Sequence, residues 1–282
     1  MDRAVGEGQD PGVSPAPLRA AAFFDLDRTL IAGSSGLYWA RAARRAGMLT
    51  RRQMAKLAVE SLQFRLQGST DESTQKVREQ AGKMLDGARR RDMARMAPQV
   101  LEGVLPRVNP QMLEVAYAHQ DAGRPVYICT AASQDLATML ADVLGFDGAI
   151  GTRFELRGDD SYTGNIVEPF TYRDGKAIRM ADLAATEGID LASSWGYSDS
   201  ESDLPMLRAV GHPVAVNPDA ELARIAADEG WEVMRFDQLG RKLKAGAAVV
   251  GLALIGGVGH RATRGRSSPG VPPAAPRRRL RR

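Results

Sequence analysis

Cysteine is nearly missing: Cys129 is the only one in 282 residues. A single thiol excludes an intrachain disulfide and any zinc site built from several cysteines, and it fits a reducing compartment. Cys129 lies in an apolar run, where a small buried hydrophobe is the expected role rather than a nucleophile. Histidine is scarce as well, and none of His119, His212 and His260 sits at metal-ligand spacing to another. The N-terminus lacks the apolar core of a signal peptide. Residues 1–18, with many Gly and Pro and little to bury, read as a disordered leader. The formal charge of +4 comes largely from a C-terminal arginine run that includes Arg277, Arg278, Arg279, Arg281 and Arg282. The remainder is near neutral or acidic, so no nucleic-acid partner is expected.

What is present is a globular composition, with 44% hydrophobic and 26% charged residues. The length suits one core with an insertion, or two domains. Ala21-Ala22-Phe23-Phe24 reads as a short buried strand. It runs into Asp25-Leu26-Asp27-Arg28-Thr29-Leu30 and then Gly33-Ser34-Ser35-Gly36, a segment that reads as a flexible hinge. Residues 37–108 change character. They are poor in β-branched residues, and apolar positions recur at helical spacing, as in Trp39, Ala42, Ala43, Ala46 and again in Met93, Met96, Val100, Leu101. This predicts an all-helical insertion of about four helices.

From Asn109 strands and helices alternate. Helices are predicted over 111–122, 133–144, 175–187, 204–210 and 219–229. Strands are predicted over 125–130, 194–197, 213–216 and 231–236, with 149–155 and 162–167 as a pair across an Arg157-Gly158-Asp159-Asp160 turn. That alternation predicts an α/β fold: a Rossmann-like, doubly wound, mainly parallel sheet over 19–36 and 109–240, interrupted by the helical insertion. Beyond it, 241–260 holds an apolar stretch, Ala245 to Gly259, flanked by Lys244, Arg261, Arg264 and Arg266. It is shorter than the roughly 18–20 residues of a spanning helix. It reads either as a membrane-contacting segment or as a terminal helix packed on protein. Residues 261–282 form a basic, Pro- and Arg-rich tail expected to be disordered.

Polar residues gather at the predicted C-terminal ends of strands. Asp25 and Asp27, two apart in an extended chain, share one face. Thr130 ends a second strand, Asp199 and Asp203 follow a later one, and Lys176 opens a helix between them. Parallel strands bring such ends together. Two carboxylates this close repel, and need a cation or a raised pKa on one member. An oxygen-rich acidic cluster with one lysine and one hydroxyl suits a hard divalent cation and a phosphoryl group.

These residues resemble the four motifs of the haloacid dehalogenase superfamily, in its subfamily IB branch with a helical C1 cap. Asp25-Leu26-Asp27-Arg28-Thr29-Leu30 matches Asp-x-Asp-x-Thr-Leu. Thr130 matches the second motif and Lys176 the third. Ser198-Asp199-Ser200-Glu201-Ser202-Asp203 matches the acidic fourth, with Ser198 where a Gly is usual. The resemblance implies Asp25 as nucleophile, Asp27 as general acid/base, and Thr130, Ala131 and Lys176 as the phosphate site. It implies Mg2+ on Asp25, Asp27 (through its backbone carbonyl) and Asp199, with Asp203 in support.

The nearest pattern is that of phosphoserine phosphatases. It departs at Thr130-Ala131-Ala132, where those enzymes read Ser-Gly-Gly. It departs again over residues 33–39, which hold no acid to meet a serine ammonium. The expectation is a cytoplasmic, Mg2+-dependent hydrolase of a small soluble phosphomonoester. One alternative is the same chemistry on a lipid-derived or headgroup phosphate, with membrane contact through 245–259 at the inner face. A third reading, of another class, is a catalytically silent phosphate-binding protein.

Overall fold

The structure is a computed structural model, and it describes residues 18–55, 75, 78, 79 and 82–236. In chain order the elements are β1 (Ala22–Phe24), α1 (Ser35–Arg45), α2 (Arg90–Arg95), α3 (Ala97–Val104), α4 (Pro110–Asp121), β2 (Val126–Ser133), α5 (Gln134–Leu144), β3 (Gly148–Thr152), β4 (Phe154–Leu156), β5 (Tyr162–Ile166), α6 (Asp174–Glu187), β6 (Trp195–Ser198), α7 (Leu204–Arg208), β7 (His212–Val216), α8 (Ala220–Asp228) and β8 (Glu232–Met234). The stretch 245–259 lies outside the described residues. Among the described residues no helix is long and apolar enough to cross a membrane.

β1, β2, β3, β6, β7 and β8 pair into one parallel sheet in the order β3-β2-β1-β6-β7-β8. Side chains alternate across a strand, so each central strand serves two layers. Phe24, Ile128, Tyr197 and Val214 face one layer, packed against Met112 and Ala116 of α4 and Leu140 of α5. Phe23, Tyr127, Cys129 and Ala215 face the other, against Met180 of α6, Met206 and Leu207 of α7 and Leu222 of α8. Burial on both faces explains why these strands read as unbroken apolar runs. Local signals set the helix ends. Asn109, Ser133 and Asp219 accept backbone N–H groups of α4, α5 and α8 as N-caps. Gly145 and Gly188 end α5 and α6 in the left-handed conformation.

The doubly wound reading is confirmed, with a correction in the middle. Residues 149–155 are not one strand paired with 162–167. Gly148–Thr152 joins the main sheet beside β2, and only Phe154–Leu156 turns out to pair antiparallel with β5. β-Propensity marked the run as extended, but could not show where it leaves the sheet.

The insertion is helical over α1, 51–55, 82–85, α2 and α3. Its named elements are all helices, as the sequence led us to expect. An isolated β-bridge joins Arg89 to Ser161, and Tyr162 exchanges backbone bonds with Gly87 and Ala88. Arg90 and the Tyr162 hydroxyl both bond the Asp135 carboxylate at the start of α5. The β4–β5 hairpin thus fastens the insertion to the sheet domain. Gly82 and Gly164 make this possible, since a Cβ on Gly82 would lie 2.3 Å from the Gly164 carbonyl oxygen. The chain enters and leaves the insertion along two paired segments, Ile31 bridging Val108 and Asn109 N–H donating to Leu30 O at 2.8 Å.

Candidate active site

Strand order reverses between β1 and β6, and in such sheets ligands bind beyond the carboxyl ends of the strands at the reversal. Asp25 follows β1 and Asp199 follows β6. The two strands run in register, Phe24 against Tyr197, and Asp25 N–H donates to Tyr197 O at 2.9 Å. Thr130 is carried on β2, whose Ile128 pairs with Phe24 on the other side of β1. Topology therefore places three of the four motifs at one point, from positions scattered along the sequence.

α6 supplies the fourth. Lys176 is buried in its first turn, and its Nζ donates to Asp25 Oδ1 at 2.6 Å and Asp203 Oδ2 at 2.8 Å. Gly175 lets the helix start this close to the preceding segment, because a Cβ there would lie 1.7 Å from Phe170 O. Asp203 receives a second bond, from Ser198 Oγ at 2.7 Å. Ser198, at the motif position where Gly is usual, thus orients the carboxylate that holds the lysine.

The electrostatics follow from burial. Asp25 is pushed up to about 7, chiefly by desolvation, with Lys176 opposing and Asp203 and Asp27 adding repulsion. Asp199 is pushed up to about 8 by burial and by repulsion from Asp25, with Arg28 opposing. Burial alone would lower the Lys176 ammonium, but Asp203 and Asp25 outweigh it and hold it above its ordinary value. The Cys129 thiol is driven up to about 12, again by burial, so it stays protonated and inert.

Thr130 is buried, and its Oγ accepts Ala132 N–H at 3.2 Å, which leaves the hydroxyl proton to donate elsewhere. The Ala131 carbonyl is taken by Thr152 Oγ at 2.7 Å. Asp27 behaves differently from the other acids. Its carboxylate accepts from Ser34 Oγ at 3.0 Å and Ser35 N–H at 2.8 Å, the start of α1. The segment that reads as a hinge also holds this carboxylate. Asp199 accepts from Arg28 Nε at 2.9 Å. Neither contact was foreseen, and neither has a sequence signal, because they arise where two loops meet. The same holds for Asp219, which caps α8 and also accepts Glu201 N–H at 3.1 Å.

Among the described residues no three His, Cys, Asp or Glu side chains converge as a metal-ligand group. The expected set does not require that, since it uses two carboxylates and the Asp27 backbone carbonyl. The residues present fit a hard cation on charge. Four carboxylates, Asp25, Asp27, Asp199 and Asp203, share the region with two cations, Lys176 and Arg28, and burial pushes up Asp25 and Asp199, the two expected side-chain ligands. A divalent ion on oxygen donors would relieve both.

Comparison with known proteins agrees with this geometry. Residues 22–208 match the family model described as haloacid dehalogenase-like hydrolase. The chain is 33% identical over 235 residues to the phosphoserine phosphatase SerB1 of Mycobacterium tuberculosis, covering 83% of this chain and 75% of that protein. It is 36% identical over 138 residues to a histidinol-phosphatase of Neisseria meningitidis, covering 48% of this chain and 62% of that one. A solved structure of a protein of unknown function from Bordetella pertussis superposes with a TM-score of 0.68 at 30% identity, covering 77% of this chain and 98% of its own. With the motifs in order, the sheet reversal at β1 and a match spanning most of the sheet domain, the chain belongs to the haloacid dehalogenase-like hydrolases.

Proposed function

We propose that this hydrolase cleaves a small phosphomonoester through a phosphorylated Asp25. The observation that carries the reading is the buried Asp25–Lys176–Asp203 triad beside Asp199 at the sheet reversal. The Asp25 carboxylate attacks phosphorus, and the bond from phosphorus to the alcohol oxygen breaks. Asp27 gives that oxygen its proton. Water then attacks the aspartyl-phosphate, Asp27 takes its proton, and inorganic phosphate leaves as the Asp25 carboxylate is restored. Thr130 donates to a phosphoryl oxygen, and Lys176 offsets charge on Asp25 and the phosphate. Mg2+, held by Asp25, Asp199 and the Asp27 carbonyl, would supply charge neutralisation and alignment.

The two relatives share this core and are named for different esters, phosphoserine and histidinol phosphate. The core therefore does not choose the substrate, and the insertion is left to do so. Residues 33–39 offer no carboxylate to an ammonium, so we favour an ester less dependent on an amino group than phosphoserine. The apolar stretch 245–259 with its basic flanks supports a second reading, in which the same chemistry acts on a headgroup or lipid-derived phosphate. A silent binding protein would not need to retain every catalytic side chain.

The test is phosphate release from a panel of amino-acid, sugar, nucleotide and lipid-headgroup esters and from a generic aryl phosphate, with Mg2+ and with chelator. Asp25→Asn should abolish turnover of all of them while the protein stays folded. Undiminished turnover in that variant would remove the proposed nucleophile.

A further inference from the structure

The insertion carries an exposed arginine face that the chemistry above does not use. Between residues 35 and 55 there are five arginines, Arg41, Arg44, Arg45, Arg51 and Arg52, and no Asp or Glu. All five are exposed. Among the described residues Arg41, Arg44, Arg51 and Arg52 have no ion pair, and Arg45 has one loose, exposed contact with Glu102 at 3.7 Å. Arg41, Arg44 and Arg45 stand three and four positions apart on α1, a spacing at which like charges destabilise a helix. Among the described residues only the exposed Glu102 contact of Arg45 and the Tyr38 ring under Arg41 offset that repulsion, and an external anion would offset the rest.

The face continues onto the neighbouring helix. Arg45 of α1 and Arg95 of α2 line one open cleft of about 430 Å3 together with Ala42, Ala46, Met48, Met96, Gln99 and one acid, Asp92, which pairs with Arg95 at 3.3 Å and leaves Arg45 as the cleft's other cation. Guanidinium groups around a small apolar floor suit an anionic group joined to hydrocarbon better than a phosphate alone. Leu37 and Leu105 of the same insertion are 42% and 37% exposed. The sequence beyond the sheet domain has the same two-part character, with apolar residues 245–259 between Lys244 and Arg261 and no acid after Asp237. Nucleic acid would reward the arginines and leave the apolar surface unused. An anionic bilayer rewards both.

We infer that the arginine face of the insertion, built on Arg41, Arg44, Arg45, Arg51, Arg52 and Arg95, docks the protein on an anionic lipid surface. This does not depend on the catalytic reading, since none of these side chains touches Asp25 or its partners. Near such a surface each arginine contributes roughly fivefold in affinity, within a Debye length and subject to salt.

The experiment is co-sedimentation of the full chain with vesicles of phosphatidylcholine alone and of phosphatidylcholine with phosphatidylglycerol. The wild-type protein should pellet with the second and not the first, and added salt should release it. The combined variant Arg41→Gln, Arg44→Gln, Arg51→Gln, Arg52→Gln should bind at least about tenfold more weakly, with its melting temperature and its hydrolysis of a soluble aryl phosphate retained. Undiminished vesicle binding by that variant would overturn the inference, because the C-terminal segment alone would then account for it. So would indifference of the wild-type protein to anionic vesicles, or full displacement of it from them by a short DNA duplex. Asp25→Asn should bind vesicles like the wild type. Loss of turnover with binding intact, or the reverse, therefore separates the failure of one claim from that of the other.

Discussion

Arg28 Nε lies 2.9 Å from Asp199 Oδ2, which puts a guanidinium on the carboxylate proposed to hold the metal. The arginine does this from a left-handed backbone with φ 69, a conformation in which glycine would sit without strain. Residue 28 thus retains a charged side chain at a backbone cost, and it is a competitor for Asp199.

Replacing it by glycine should relieve the backbone and free Asp199. In a thermal-shift titration, Arg28→Gly should reach half-maximal stabilisation at a lower Mg2+ concentration than the wild type, by about tenfold if one cation contact is removed. Without metal the same variant should melt no higher than the wild type, because Asp199 then loses its only nearby cation among the described residues. An unchanged or higher Mg2+ requirement would show that the pair does not compete with the metal.

Lys176 neutralises two buried carboxylates at once. Lys176→Met leaves Asp25 and Asp203 facing each other without a cation, and removing one partner of a buried pair typically costs about 3–5 kcal/mol. Urea unfolding should show a loss of that order, and phosphate release should fall below detection. Stability within about 0.5 kcal/mol of the wild type would mean that the triad is solvated in solution.

Gly175→Ala tests the route by which the lysine arrives. The added Cβ would lie 1.7 Å from Phe170 O, a backbone atom that cannot swing aside. The start of α6 must move, and Lys176 moves with it. We expect about 1–3 kcal/mol of destabilisation and a drop in kcat larger than the change in KM. The exposed Ala185→Gly on the same helix, which should cost about 1 kcal/mol, controls for loss of helix stability alone.

His119 gives a pH dependence separable from the active site. It is buried, with Tyr197 Oη 2.8 Å from Nε2 and Arg124 Nε donating to Nδ1 at 2.7 Å, and Phe24 and Trp195 packed around it. Burial, then the Arg124 charge, lowers it from 6.5 to about 4. Below pH 6.5 the unfolded chain takes up a proton that the folded one refuses, so this contribution is present above 6.5 and is lost as pH falls towards 4. The slope approaches about 1.4 kcal/mol per pH unit. Comparing denaturant midpoints at pH 7 and pH 5, the wild type should lose more stability than His119→Gln. Equal losses would mean that His119 titrates normally.

Much of the site could be read without coordinates because its chemistry needs particular residue types at short spacings. Asp25 and Asp27 are two apart, Asp199 and Asp203 four apart, and each group follows a run apolar enough to be a strand buried on both faces. The insertion announced itself by its period, and the hairpin by its turn. Less legible were the places where the chain meets itself at a distance. The strand 148–152 and the strand 154–156 look like one extended run, and only partner availability separates them. Arg28 on Asp199, Ser34 and Ser35 on Asp27, and Ser198 on Asp203 are side-chain choices made between loops, which periodicity cannot register.

By itself, then, the order of residues determined the element types, the parallel sheet and the identity of the acids and the lysine, because helix and strand periods and motif spacing are local properties. Tertiary structure alone decided which cation each acid meets, how the insertion is fastened through Arg89 and Ser161, and that Arg45 and Arg95 come to line one cleft. Those outcomes depend on distances between segments far apart in the chain, set by how two layers of helices pack on a twisted sheet.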